Sequence, residues 1–533
     1  TTTTTTTTLP PPDCRGITYD ITVCAGGCDY TTISDAFGAA VQGDVICVIG
    51  TGSYGGFTFP TTGITLMSES IVNRPHLTST VTFSDANGKD PYTYDTVLDG
   101  FIIDSNSPSM YMKGWCDSTS VTIGNNVQIK NTLFDGGAQS GIEWDGGCPT
   151  IGPGNTFRNK LRTALRIYAN AGYSGEAAII QGNEFYGNGI DGGTQTAYAQ
   201  IHTQTDATAG RYILIKDNYI HDAAYASGFG IAAGSDDNLY LTGNEVVDNP
   251  FAGFKLGTWG NKDDPDNPHT GQITISGETN YTFAGTGYTD GSPNKFYSND
   301  RGGIVTSVVS TFSIIKNEIY DNGWGGIHTG WLEPVDGEFT WPGGSTPAQM
   351  TIRTNKVYGN GAGTNTAGGG IDVMYASGTI ENNLVYENKY AGIRVGDGVA
   401  SGMTIRHNTV VDNGGGTTPD RTRAGGGIVY HDGYASDGTT PCYYCRPYGT
   451  IPLSINVKDN VIAYTARAAL AGMGSSNTVG SEERDYNLIY RNNPGGPWMT
   501  DDCGYVAAGG DYSQMDMNNI RCLIGQYGFH PLY

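Results

Sequence analysis

One asparagine-centred phrase returns through most of this 533-residue chain. Written N-x-[apolar]-x-x-[N/D], it starts at Asn131 (NTLFDG), Asn155, Asn183, Asn218 and Asn244, and again at Asn294, Asn317 (NEIYDN), Asn355, Asn383, Asn408 and Asn460. A short β-rich piece such as LYLTG, FSIIK or MTIRH precedes each phrase, and a Gly-Gly-Ile or Ala-Gly-Ile step follows most of them. Where nothing is inserted the spacing is short: 24 residues from Asn131 to Asn155, 23 from Asn294 to Asn317 and 25 from Asn383 to Asn408.

A repeat of that length holding two or three short strands describes one coil of a parallel β-helix. One coil cannot bury its own apolar face, whereas stacked coils bury a continuous one. Like residues then stand over like at about 4.8 Å along the axis. The recurring asparagine reads as a stacked amide ladder inside a turn, structural and not catalytic. Composition agrees: 80 Gly supply the turns, 38% hydrophobic residues with 34 Tyr can fill a core, and only 15% of residues are charged, against about 25% in ordinary domains. A solenoid grows by adding coils, so the length does not demand several domains.

The ends read differently. YTTISDAFGAAVQGDVICVIGTGSY (Tyr30 to Tyr54) predicts an amphipathic helix from about Ile33 to Val41, a turn at Gly43 and Asp44, and a buried strand DVICVIG. Residues 1–12 form a Thr/Pro-rich arm, 13–500 the β-helix with its N-terminal cap, and 501–533 an irregular, disulfide-containing C-terminal cap. The arm suits an O-glycosylated stalk or linker, with Thr1, Thr2, Thr3, Thr4, Thr5, Thr6, Thr7 and Thr8 as acceptors, and Asn280 in NYT is an N-glycosylation acceptor.

Ten cysteines, no starting Met and no apolar run long enough to span a bilayer point to a mature secreted chain, extracellular or on the cell surface, without membrane insertion. By separation Cys24 pairs with Cys28, Cys116 with Cys148 and Cys503 with Cys522, although sequence does not fix connectivity. Cys442 and Cys445 read as a disulfide, since no second Cys or His pair at metal spacing follows them. A net charge of −23 argues against nucleic acid and anionic membrane as partners. In such a chain the few cations carry information.

In the Gly-Ile strand, residues alternate inward and outward. AGFKLG puts Phe254 and Leu256 inside and Lys255 outside; the same alignment exposes Val305, His328, Asp372 and Arg394 on later coils. Earlier coils give Glu143, Arg166, an ambiguous position at Gln200 or His202, and Ala232. Titratable groups so closely stacked are a candidate site, and the plain alternative is a salt-bridge ladder that stabilises the stack. Where the column becomes ionic, insertions interrupt the repeat: Thr258 to about Pro293, Trp331 to Ala348, Gly414 to Ala424 and His431 to Leu453. These long loops, on one side of the solenoid, bring Trp259, Trp331, Trp341, Glu333 and His431, and Trp324 lies just before the His328 strand. Aromatic faces beside carboxylates suit sugar rings.

The segment Tyr30 to Tyr54, with its helix, Gly-Asp turn and first strand, resembles the opening of pectate-lyase-like right-handed β-helix proteins, and with the Asn repeats the likeness covers nearly the whole chain. It implies a right-handed parallel β-helix; that superfamily holds lyases, hydrolases, epimerases and non-catalytic fibres. More narrowly, GFKLG resembles the strand of family 9 polysaccharide lyases whose lysine is the catalytic base. By that likeness Lys255 would abstract the proton α to a uronic carboxylate, once desolvation or neighbouring cations favour its neutral form. Arg394 or a calcium ion would neutralise the carboxylate, and His328 with Asp372 would serve as acid and orienter. SDDN (Asp236, Asp237) and DDPDN (Asp263, Asp264, Asp266) offer the clustered oxygens that calcium needs; no organic cofactor is implied. The family's full aspartate set before the lysine is missing, SDDN being a partial match.

The leading expectation is thus a secreted β-helix acting on a uronate-containing polysaccharide by β-elimination. Three alternatives stand beside it. A glycoside hydrolase would use a carboxylate pair such as Asp372 and Glu333, and an epimerase would share the proton abstraction. A structural subunit would self-associate through the Thr-rich arm into a glycosylated filament, or a non-catalytic solenoid would simply bind glycans.

Overall fold

The computed structural model describes residues 14–83, 95–105, 108–113, 127–137, 139–145, 149–169, 175–190, 199–205, 211–234, 238–256, 272–279, 281–283, 286–288, 291–306, 311–329, 348–362, 369–373, 376–395, 403–414, 426–431, 455–465, 470–473 and 487–490. The Thr-rich arm, Asn280, the C-terminal stretch 501–533 and the cysteines from Cys116 onward lie outside these residues. The chain divides into two compact units, Thr1–Tyr225 and Ala226–Tyr533.

The first unit opens with a cap. Helix α1 (Ile33–Ala39) is started by Thr32, whose hydroxyl accepts the Asp35 N–H at 3.1 Å, and it buries Ile33 and Ala36. It stops two residues before the predicted Val41, because Ala40 is already extended. Gly43, at φ +89°, makes the turn that glycine alone adopts cheaply. Val45–Val48 then pairs in parallel with Ile21–Val23 and Thr65–Ser68. Phe59 stacks on Phe83 with centroids 4.3 Å apart, while Phe37 of α1 meets Phe57 and Phe59. Cys24 and Cys28 are bonded as expected; a second disulfide, Cys14–Cys47, was not foreseen. It closes a loop across 33 residues and packs against Met67 beneath the first coils.

Beyond the cap, each coil gives one strand to each of three parallel sheets. In the first unit these run from Ile21–Val23 to Arg211–Lys216, from Ser53–Tyr54 to Tyr219–His221, and from Val81–Phe83 to Ala199–Thr205. In the second they run from Leu239–Thr242 to Ile455–Lys458, from Glu245–Val247 to Leu488–Tyr490, and from Phe229–Ala233 to Leu470–Met473. An antiparallel pair, Tyr281–Phe283 with Thr286–Tyr288, stands apart from them. In the second unit the middle strand of each coil is three residues long and turns one apolar residue inward, so that Val246, Phe296, Ile319, Val357, Val385 and Val410 form one buried file.

Two asparagine ladders bracket that middle strand. At its entry Asn294 Nδ2 donates to Asn317 Oδ1 at 2.9 Å, Asn317 to Asn355 at 3.1 Å and Asn355 to Asn383 at 3.0 Å. At its exit Asn299, Asn322, Asn360, Asn388 and Asn413 repeat the pattern. The same amides also donate to strand carbonyls next to the turn, as Asn317 does to Ile275 and Ile315, so these buried backbone groups are satisfied. The residue before most ladder asparagines takes a left-handed φ, for example Lys316 (+54°) and Asp321 (+53°), whereas Asn294 follows Pro293.

That geometry corrects two readings. Asn131 is not in the ladder: it is itself the left-handed residue (φ +49°), and Thr132 occupies the ladder position, its N–H donating to Asn155 Oδ1. The stretch from Thr258 to Pro293 is not one insertion either. Gln272–Ser276 within it is a first-sheet strand, with Ile273 and Ile275 buried, paired to Leu239–Thr242 and Thr311–Ile315.

Candidate functional site

Strand alternation and close approach set the third sheet of the second unit. In its Gly-Gly-Ile steps the second glycine leaves no room for a side chain: a Cβ on Gly303 would lie 2.6 Å from Ile319 Cγ2 and 2.9 Å from the Asn322 amide. The isoleucine then turns inward and the next residue outward. The resulting register is Lys255 beside Val305, Val305 beside His328, His328 beside Asp372, and Asp372 beside Arg394. This is the order the alignment expects. Phe254 and Leu256 are buried inside, as expected.

The ionic column is far less exposed than a surface ladder. Side-chain exposure is 1% for Asp372, 10% for Arg394 and 13% for His328. Arg394 Nε donates to Asp372 Oδ1 at 2.8 Å, and its Nη2 donates to Oδ2. His328 Nδ1 stands 3.0 Å from the same Oδ2. Burial by itself would raise the Asp372 pKa, but the charges of Arg394 and His328 and their hydrogen bonds outweigh it and hold the carboxyl well below the usual range. A carboxylate at Nδ1 fixes the ring orientation and assigns acid–base work to Nε2. The arrangement is a histidine oriented by a carboxylate that is itself locked by a bidentate guanidinium. Arg394 is thus bound to Asp372; the likeness to family 9 polysaccharide lyases implied that it would meet a substrate carboxylate.

Lys255 lies on the outer face but is covered, with 9% of its surface exposed. Its ammonium sits 5.1 Å from the centroid of the Phe229 ring. Phe229 meets Phe251 edge-on at 4.9 Å, and the Arg301 guanidinium stacks 3.9 Å from the Phe251 centroid and 4.6 Å from that of Trp324. Trp324 is thus half-buried against a cation. Phe229, Phe251 and Arg301 were missed from sequence. The signal was present: Phe251, Arg301 and Trp324 each stand four places before the outward residue of their strand.

Several expected residues fall outside the described ones: Trp259, Trp331, Trp341 and Glu333, and the calcium candidates Asp236, Asp237, Asp263, Asp264 and Asp266. His431 closes the strand Ile428–His431, whose backbone alone is described there. Among the described residues no three His, Cys, Asp or Glu side chains gather as metal ligands.

The first unit carries its own outward file, in which Glu143 stands beside Arg166 and Arg166 beside His202. The ambiguous position is settled there. His202 is the register partner of Arg166 and so takes the outward position, while Gln200 accepts from Asn188 and donates to the His221 carbonyl. Burial, and then the neighbouring Arg166 charge, push the His202 pKa down to about 4.

The profile of the family described as "Right handed beta helix region" matches residues 115–279 and 345–512. Among solved structures the chain is similar to a mutant of the periplasmic alginate epimerase AlgG, at 12% identity over 88% of this chain and 84% of that one, with a TM-score of 0.38. It is also similar to the A-module of the Azotobacter vinelandii mannuronan C-5 epimerase AlgE4, at 13% identity over 86% and 88%, TM-score 0.34. A third is the catalytic unit of the GH87 α-1,3-glucanase from Streptomyces thermodiastaticus strain HF3-3, at 12% identity over 88% and 66%, TM-score 0.35. No curated protein sequence matches the chain. Among the described residues two disulfides are present, and no helix is long and apolar enough to cross a membrane.

Proposed function

The chain belongs to the right-handed β-helix family, and from that premise we propose that it is a secreted lyase that cleaves a uronate-containing polysaccharide by β-elimination. The observation that carries this reading is the enclosed Asp372, gripped by Arg394 on one side and by His328 on the other, in one file with Lys255.

Elimination needs a base for the proton α to the carboxylate and an acid for the departing oxygen. Lys255, two rungs or about 9.6 Å along the sheet from His328, is the base: its neutral amine takes the proton, and the electron pair left behind forms the new double bond as the glycosidic oxygen departs. His328, as imidazolium, gives the proton from Nε2 to that oxygen. Asp372 orients the ring, and Arg394 fixes Asp372.

The same burial speaks against hydrolysis at this place. A carboxylate with 1% side-chain exposure and two cationic partners cannot also reach an anomeric carbon or an attacking water. C-5 epimerisation shares the first proton abstraction and differs only in where a proton returns.

Product mass separates these outcomes. After incubation with pectate, alginate and glycosaminoglycans, elimination yields fragments whose masses sum to that of the parent chain. Hydrolysis adds one water per cut, and epimerisation leaves chain length unchanged. Fragments without added water are expected; hydrated fragments, or none on any of the three, would overturn the proposal.

A further inference from the structure

A chain with a net charge of −23 gathers Arg15, Arg74 and Lys130 around a single carboxylate in its first unit. Asp99 ends the strand Thr96–Asp99, and its register partner Lys130 ends Val127–Lys130. Arg15 Nη1 donates to Asp99 Oδ1 at 2.8 Å, Asn131 Nδ2 donates to the same oxygen at 2.9 Å, and Lys130 Nζ stands 3.5 Å from Oδ2. Both oxygens are thus engaged. Arg74 reaches the group from the loop between Thr65–Ser68 and His76–Leu77. The charges that act on it are those of Asp99, which favours the cation, and of Arg15, which opposes it.

Arg74 has no anion of its own. Its guanidinium forms no hydrogen bond or ion pair among the described residues; Nε is covered without a partner, and the Nη pair is the edge left to solvent. Arg15 likewise keeps Nε and Nη2 covered and unpartnered. Burial first, and Arg15 with it, holds the Arg74 pKa below its ordinary value against the pull of Asp99, so the cation is under-compensated where it stands. Its backbone is fixed: Ser70 Oγ accepts from the N–H groups of Val72 and Asn73, and the Pro75 carbonyl accepts from Ile102. A ligand therefore has less freedom to freeze on binding.

Three cations less one carboxylate leave two positive charges, and the open edge of a guanidinium is a fork that matches two oxygens of an oxyanion. The side chains of Arg15 and Lys130 are 21% and 33% exposed, so the cluster opens to solvent. We infer that Arg74, with Arg15 and Lys130 around Asp99, forms a binding site for a doubly charged tetrahedral oxyanion, a sulfate or phosphate group. A carboxylate would leave one charge of the cluster unmatched. The same chemistry is offered by a free ion and by an ester carried on a sugar, which the probes below tell apart. The site shares no residue with the file of Lys255 and His328 and does not depend on the uronate reading.

The test is isothermal titration calorimetry of the full-length protein in chloride at constant ionic strength. The probes are inorganic sulfate, inorganic phosphate, and a sulfated disaccharide beside its unsulfated counterpart. Wild type should bind at least one of the dianions saturably. Arg74→Gln should weaken that binding at least about tenfold, and Arg74→Lys, which keeps the charge and loses the fork, should recover only part of it. Melting in chloride alone is the control for a packing role: Arg74→Gln should melt no lower than wild type, because it removes a half-buried cation without breaking a bond. Added dianion should then raise the melting temperature of wild type more than that of Arg74→Gln, beyond the stabilisation that sulfate gives any protein. Binding confined to the inorganic ions supports a free-ion site, and tighter binding of the sulfated disaccharide than of its counterpart supports an ester site. No saturable binding of any dianion, or equal binding by wild type and Arg74→Gln, would overturn the inference.

Discussion

Asp372 and Arg394 stand opposite one another on adjacent strands, and the guanidinium of the one reaches both carboxylate oxygens of the other. Both are buried, so each neutralises a charge that the interior would otherwise reject. Removing one partner is therefore far worse than removing both. Asp372→Asn should destabilise the protein by about 3–5 kcal/mol, whereas Asp372→Leu with Arg394→Met should come close to wild-type stability. Denaturant unfolding of the two variants beside wild type measures this. Both changes should abolish turnover, because His328 loses its orienting carboxylate in each.

His202 gives the first unit a pH dependence of definite sign. Its pKa is pushed down to about 4 from an ordinary 6.5, by burial first and by Arg166 second. Folded, the ring stays neutral while the unfolded chain takes up a proton, so its contribution is complete above pH 6.5 and is lost as pH falls toward 4. Melting temperature should fall across that interval, and His202→Gln should flatten the fall. A His202→Gln profile parallel to wild type would contradict this assignment.

Lys160 is a buried cation in a position that the exit ladder of the later coils gives to Asn299, Asn322, Asn360, Asn388 and Asn413. Its N–H donates to Asn188 Oδ1, its ammonium donates to Ser109 Oγ at 2.6 Å, and burial lowers its pKa from 10.5 to about 8. The stabilisation that comes with the neutral amine is present above pH 10.5 and lost as pH falls to about 8. At neutral pH Lys160→Met should melt higher than wild type, with the gap closing as pH approaches 10.5. A lower melting temperature for Lys160→Met at neutral pH would show that the bond to Ser109 outweighs the desolvation of the ammonium.

The amide ladders predict a cost for losing one member. Asn317→Ala removes donors to two strand carbonyls and to Asn355, and an acceptor for Asn294, all buried. Unsatisfied buried groups cost about 1–3 kcal/mol each, so chemical unfolding should report a loss of several kcal/mol. Asn131→Gly, at a left-handed position outside the ladder, should cost much less.

Much of this was legible in the sequence because a solenoid converts spacing directly into neighbourhood. The inward isoleucine after paired glycines fixes which residue faces out, and this alone places His328, Asp372 and Arg394 on adjacent rungs. What escaped has physical reasons. In NTFRNK the phrase ends on Asn159, but that residue takes the left-handed turn (φ +56°) and Lys160 fills the ladder position, since asparagine suits both conformations. QITIS was hidden because an excursion separates it from the next asparagine phrase. The Arg301 stack joins residues 50 apart in the chain, Phe251 and Arg301, so only register brings them together. The burial of Lys255 was beyond reach, because alternation tells which face a side chain is on and not what covers it.

The most direct test of the central claim is the ultraviolet absorbance of the unsaturated product, followed with pectate, alginate and glycosaminoglycans for wild type, Lys255→Ala and His328→Ala. The signal should rise for wild type on at least one substrate, vanish in Lys255→Ala and drop steeply in His328→Ala. A flat trace for wild type on every substrate, or a rise that survives Lys255→Ala, would contradict the account.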